Sequence, residues 1–105
     1  MNYSNLATQL RILADESRLE IIDLLSCNEL CGHDILSYFN FSQPTLSHHM
    51  KVLVENRVVT KRREGNKFMY RLNNDILNDL KQSLDMISRP SSECICHSIT
   101  EDCNA

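Results

Sequence analysis

The sequence predicts a mainly α-helical winged helix-turn-helix with its elements in the order α-α-α-α-β-β-α, and three observations carry that prediction. Apolar residues recur at helical spacing in four segments before Arg57 and in one after Leu72. Between them, "VVTKRREGNKFMYRL" switches to period two around a Glu-Gly-Asn turn, as a two-stranded hairpin does. The helical segment from Pro44 to Asn56, which leads directly into that hairpin, sets small hydrogen-bonding side chains opposite its apolar stripe. Two short helices, a turn and a basic hairpin in this order define a recognition helix followed by a wing.

Each element has its own justification. Leu6, Leu10 and Leu13, with Ala7 and Ala14, form the stripe of a helix over residues 5–14, with Ser4 placed to cap it. Asp15 caps a second helix carrying Leu19, Ile21, Ile22, Leu24 and Leu25, with Cys27 expected as a small buried residue closing it. Ile35, Leu36 and Phe39 make a third helix over residues 32–39, which "NFSQP" breaks. Ser42 as cap and Pro44 in the first turn start the fourth, whose Leu46, Met50, Leu53 and Val54 face inward. In the hairpin, Val59, Lys61 and Arg63 lie opposite Val58, Thr60 and Arg62, and Phe68, Tyr70 and Leu72 alternate with polar neighbours. Ile76, Leu77, Leu80, Leu84 and Ile87 supply the last helix, closed by Arg89 and Pro90. The remainder, "SSECICHSITEDCNA", has no sustained periodicity, so residues 1–89 read as the folded domain and 90–105 as a cysteine-rich C-terminal tail.

A chain of 105 residues fits one domain. A domain this small buries a modest share of its surface, so a partner subunit is expected. No segment has the pattern of a secretory leader, and no apolar run approaches the roughly 18 residues that span a bilayer, which predicts a cytoplasmic protein without a membrane partner. In a reducing compartment the five cysteines read as thiols for metal binding or redox sensing, not as structural disulfides. The net charge of −3 hides a strong asymmetry: from Gln43 to Leu72 seven bases face two acids, a local excess of +5, which leaves −8 for the rest. A basic segment on an acidic body suits a protein that brings one face to a polyanion. There is no glycine-rich phosphate loop, no acid and base at suggestive positions and too little chain for a substrate cleft beside the core, so an enzyme and an organic cofactor are not expected.

The fourth helix leaves Thr45, Ser47, His48, His49 and Lys51 open to solvent or a ligand; Gln43 suits an adenine edge, while Thr45, Ser47, His48 and Lys51 suit bases or phosphates. Arg62, Arg63 and Lys67 on the hairpin suit the DNA backbone or the minor groove beyond it.

"ILADESRLEIIDLL", "ELCGHDIL", "FSQPTLSHHMKVLVENRVV" and "REGNKFMYRLN" together resemble consecutive landmarks of the ArsR/SmtB family of metal-responsive repressors, closest to its arsenic-sensing ArsR branch, over about residues 5–88. The resemblance implies a homodimer joined by the first and last helices, with paired recognition helices in successive major grooves of palindromic double-stranded operator DNA. It also implies a repressor of a resistance or efflux operon, released by trivalent arsenic or antimony.

The thiols depart from that pattern. Arsenic-sensing relatives place Cys-x-Cys where this chain has Cys31-Gly32-His33, with Gly32 expected to free the backbone at the helix start. Trivalent arsenic prefers three thiolates, and imidazole substitutes poorly for sulfur, so Cys31 and His33 read as a weakened site. The histidines of zinc-sensing relatives are missing from the last helix, and no cysteine precedes Cys27. Cys94, Cys96 and Cys103 supply three thiols within ten residues, a donor set for arsenite that some relatives of the ArsR branch carry; with His97 the set also matches zinc or cadmium. A repressor that senses thiol oxidation or persulfide through the same cysteines is the remaining alternative.

Overall fold

The structure, a computed structural model, describes residues 2–90. Five helices and a three-stranded antiparallel sheet follow in the order α1 (Tyr3–Leu13), α2 (Glu16–Leu24), β1 (Leu30–Cys31), α3 (Gly32–Tyr38), α4 (Gln43–Glu55), β2 (Val59–Glu64), β3 (Lys67–Leu72) and α5 (Asn74–Ser88). All seven expected elements form; β1 is an addition. It pairs with β3, Leu30 opposite Tyr70 and Cys31 opposite Met69, so the sheet runs β1-β3-β2 and the hairpin is stitched to the chain entering α3.

Local chemistry explains the helix ends. Asp15 and Ser42 cap α2 and α4 as expected, accepting from the backbone N–H of Arg18 and Thr45. α1 is capped by Asn2, whose side chain accepts from the Asn5 N–H, not by Ser4, which lies inside the helix. α4 ends in a Schellman motif: the Val58 N–H bonds to the Leu53 carbonyl at 3.0 Å and the Arg57 N–H to that of Val54 at 3.1 Å. Arg57 occupies the left-handed position with φ 64°, which glycine would fill without steric cost. At the hairpin tip Gly65 alone has positive φ, the pattern of a II′ turn with glycine first.

The core lies where α2, α3, α4 and the hairpin base meet. Ile21, Ile35, Leu53 and Val59 are fully buried, and Leu25, Leu46, Met50, Val58 and Leu72 complete it. Leu25 takes the core position at the end of α2, so Cys27, two residues further, is exposed; it is Cys31 that is buried. This corrects the expectation for Cys27. Leu6 of α1 and Leu80 of α5 are buried, while Leu10, Leu84, Met86 and Ile87 stay exposed along these two helices. None of the described helices is long and apolar enough to cross a membrane.

Candidate nucleic-acid interface and thiol positions

The buried stripe of α4, Leu46, Met50 and Leu53, leaves Gln43, Thr45, Ser47, His48 and Lys51 exposed, as the spacing predicts. Some of these side chains are preorganised. The Ser42 hydroxyl lies 3.1 Å from that of Thr45, and the Gln43 amide donates to the Ser47 hydroxyl at 3.5 Å, one turn along. Lys51 meets Glu55 loosely at 3.9 Å, a solvent-exposed contact that leaves its ammonium available. The first turn of α4 holds no acidic residue, so its free N–H groups and positive dipole end are open to an anion.

His49, expected on the open face, is instead half-buried, because its ring turns toward Arg18 of α2. Its Nδ1 lies 3.4 Å from Arg18 Nη1, and Arg18 also donates to the carbonyl of Ile12 at 2.7 Å. The same guanidinium is 4.0 Å from Asp15. Asp15 is held below the usual carboxylate range, first by the hydrogen bond from the Arg18 backbone N–H and further by the positive charge of Arg18.

The hairpin sorts its cations by strand alternation. Val59, Lys61 and Arg63 share one face with Leu72, Tyr70 and Phe68, their register partners on β3. The Lys61 ammonium lies 4.6 Å from the centre of the Phe68 ring, and Arg63 is 6.0 Å from the same ring. This face turns toward α4. Gln43, Ser47, Lys51, Lys61, Phe68 and Tyr70 line a groove of about 560 Å3 between recognition helix and wing. Burial raises the Tyr70 phenol above its ordinary range.

Arg62 points to the opposite face. Its Nε and Nη2 donate to the two Glu29 carboxylate oxygens at 2.9 and 2.5 Å, and Nη2 lies 2.9 Å from Glu64. The Glu29 carboxyl is lowered by that hydrogen bond, and Arg62 is raised by its two carboxylate partners. Lys67 reaches an adjoining cleft of about 320 Å3, whose walls include His33, Gln43, Ser47 and Tyr70. Sequence reading overlooked Lys61, although alternation from the apolar Val59 places it with Arg63 and not with Arg62.

The thiols are scattered. Cys31 is the N-cap residue of α3, with its side chain buried, whereas His33 is exposed and faces the cleft beside Gln43. Gly32 has no positive φ, and a Cβ there would meet Tyr70 at an ordinary 3.7 Å, so the helix start does not require glycine. Among the described residues no three His, Cys, Asp or Glu side chains come together as a metal site. Cys31 and His33 by themselves therefore do not fit a three-thiolate ligand. Cys94, Cys96, His97 and Cys103 lie outside the described residues.

Comparison with known proteins places the site in context. Residues 15–61 match the family model described as "Bacterial regulatory protein, arsR family". The arsenical resistance operon repressor of Staphylococcus aureus is 55% identical over 104 residues, covering 98% of this chain and all of that protein. A solved structure described as a possible transcriptional regulator for arsenical resistance superposes with TM-score 0.71 at 28% identity, over 89% of this chain and 97% of the other. The homodimeric winged helix-turn-helix DNA-binding domain of a possible ArsR-family regulator from Mycobacterium bovis gives TM-score 0.66 at 26% identity, over 80% and 79%.

Proposed function

This chain belongs to the arsR family of bacterial regulatory proteins, and on that premise we propose that it is a homodimeric repressor of an arsenic-resistance or efflux operon, released from palindromic operator DNA by trivalent arsenic or antimony. The observation that carries the DNA-binding half is the groove between α4 and the wing. Gln43, Ser47 and Lys51 of the helix and Lys61 of the wing line it, while Thr45 and His48 are exposed on the same helix and Arg63 shares the hairpin face of Lys61. Gln43, Ser47 and His48 read base edges in the major groove, and Thr45, Lys51, Lys61, Arg63 and Lys67 hold phosphates. Its work on DNA assigns it to the cytoplasm.

The dimer is supported by the exposed apolar residues of α1 and α5, Leu10, Leu84 and Ile87, and by the homodimeric state of the Mycobacterium bovis relative. The inducer class is supported by the name of the Staphylococcus aureus relative and by donor chemistry. Of the five cysteines, Cys31 is buried without a second thiol described beside it, which leaves Cys94, Cys96 and Cys103 as the three-sulfur set. We place the inducer on that triad, with Cys31 and His33 subordinate. Because the triad follows α5, its occupation acts on the dimer helix and so on the spacing of the two recognition helices.

The experiment is arsenite-driven release from operator DNA, with reductant present. A variant with Cys94, Cys96 and Cys103 all changed to serine should bind operator and no longer release it, while Cys31→Ser should release normally. Release that survives in the triple variant and disappears in Cys31→Ser would move the site to α3.

A further inference from the structure

We propose that Arg62 is a positioning residue: with Glu29 it clasps the wing to the segment leading into α3, and it contacts no phosphate. The inference rests on the DNA-binding reading above and adds to it what sets the angle of the wing.

Three observations converge. First, the pair is bidentate, with Nε and Nη2 of one guanidinium edge on the two oxygens of one carboxylate, and Nη2 also meets Glu64. Turning Arg62 to a phosphate would break two charge-assisted hydrogen bonds and leave Glu29 facing the polyanion. An exposed ion pair usually contributes little, but bidentate arginine–carboxylate geometry is the exception. Second, Arg62 projects from the hairpin face opposite Lys61, Arg63 and Phe68, away from the groove beside α4. Third, the clasp adjoins the two-residue β1–β3 ladder, which also ties this segment to the hairpin. Arg62, Met69 and Cys31 stand on a single rung across the three strands, and Glu29 immediately precedes β1. Beyond its base in the core, the wing is thus tied to the body at Glu29, Leu30 and Cys31, and a displacement of that short segment is carried to Lys61 and Arg63.

The test uses the sign of a charge change. Removing an acidic residue near DNA ordinarily tightens binding. Glu29→Gln in the full chain should instead weaken operator affinity several-fold, and Arg62→Gln should weaken it equally while leaving its salt dependence unchanged. The charge-reversed pair Glu29→Arg with Arg62→Glu should recover most of the loss. In the DNA-free protein, Glu29→Gln should also speed amide exchange in β1 and β3. Tighter binding by Glu29→Gln, or a salt slope flattened by about one contact in Arg62→Gln, overturns the proposal. Faster exchange with unchanged operator affinity overturns the positioning role and spares the function. A control with Lys61 and Arg63 changed to glutamine that keeps the wild-type salt slope would count against the DNA-binding wing itself.

Discussion

Lys61 and Arg62 are adjacent bases on the same strand, and the structure gives them different surroundings: Lys61 lies on the aromatic face beside α4, Arg62 in two carboxylate contacts on the other. Replacing Lys61 and Arg63 together by alanine should weaken binding to operator and to random DNA alike. It should flatten the plot of log affinity against log salt by about two phosphate contacts, which titrations at several salt concentrations read directly. The cationic character of the hairpin was legible in the sequence, and alternation from Val59 held the key to its faces. The pairing of Arg62 with Glu29 was not, because the partners lie 33 residues apart. Asp15 gives a second prediction at this scale. Its folded pKa lies below its unfolded one, so its contribution is present above the unfolded value, near pH 4, and is lost as pH falls through the folded value. Asp15→Asn keeps a capping oxygen without the titration. Denaturation of both proteins at pH 7 and pH 3 should show the wild type losing more stability than the variant.

Arg57 shows how an element's end can be suboptimal. The Schellman bonds and the buried Leu53–Val58 pair at the end of α4 require a left-handed residue between helix and strand, and the chain supplies arginine. Arg57→Gly should raise the stability of the domain by up to about 1 kcal/mol, seen as a higher denaturation midpoint; an unchanged or lower midpoint would mean that the arginine side chain offsets the strain. Caps of this kind explain why the helices were readable: Asp15 and Ser42 announce α2 and α4 one residue before they begin. β1 could not be read in the same way. Two residues carry no alternation, and their partners Met69 and Tyr70 are nearly 40 positions away, so this strand exists only through tertiary pairing. Cys27 was misplaced for a related reason. Apolar periodicity continues to Leu25, and only the three-dimensional turn after it shows the next residues facing water.

At the scale of the whole molecule, α1 and α5 divide their apolar residues between two uses. Leu6 and Leu80 are buried within the subunit, and Leu10, Leu84 and Ile87 remain at the surface, as expected of helices that also meet a second copy. The chain should sediment as a dimer at micromolar concentration, and Leu84→Glu with Ile87→Glu should yield a folded monomer whose affinity for a palindrome falls to that for a half-site. A wild-type monomer that still bound a palindrome tightly would contradict this arrangement. Periodicity made the two helices legible, but it could not separate residues that serve the core from those left for a partner. The proposed function couples release of DNA to thiols that bind trivalent arsenic, and a single titration decides whether the two are joined. The full chain, with reductant present, is titrated onto a palindrome selected from random DNA and onto a scrambled duplex, each with and without arsenite. A dimeric, arsenic-released repressor should bind one dimer per palindrome, in preference to the scrambled duplex, and should lose palindrome affinity on adding arsenite by roughly 5- to 150-fold, the range of ordinary allosteric coupling. Equal binding of both duplexes, or a palindrome affinity that arsenite leaves unchanged, would contradict it.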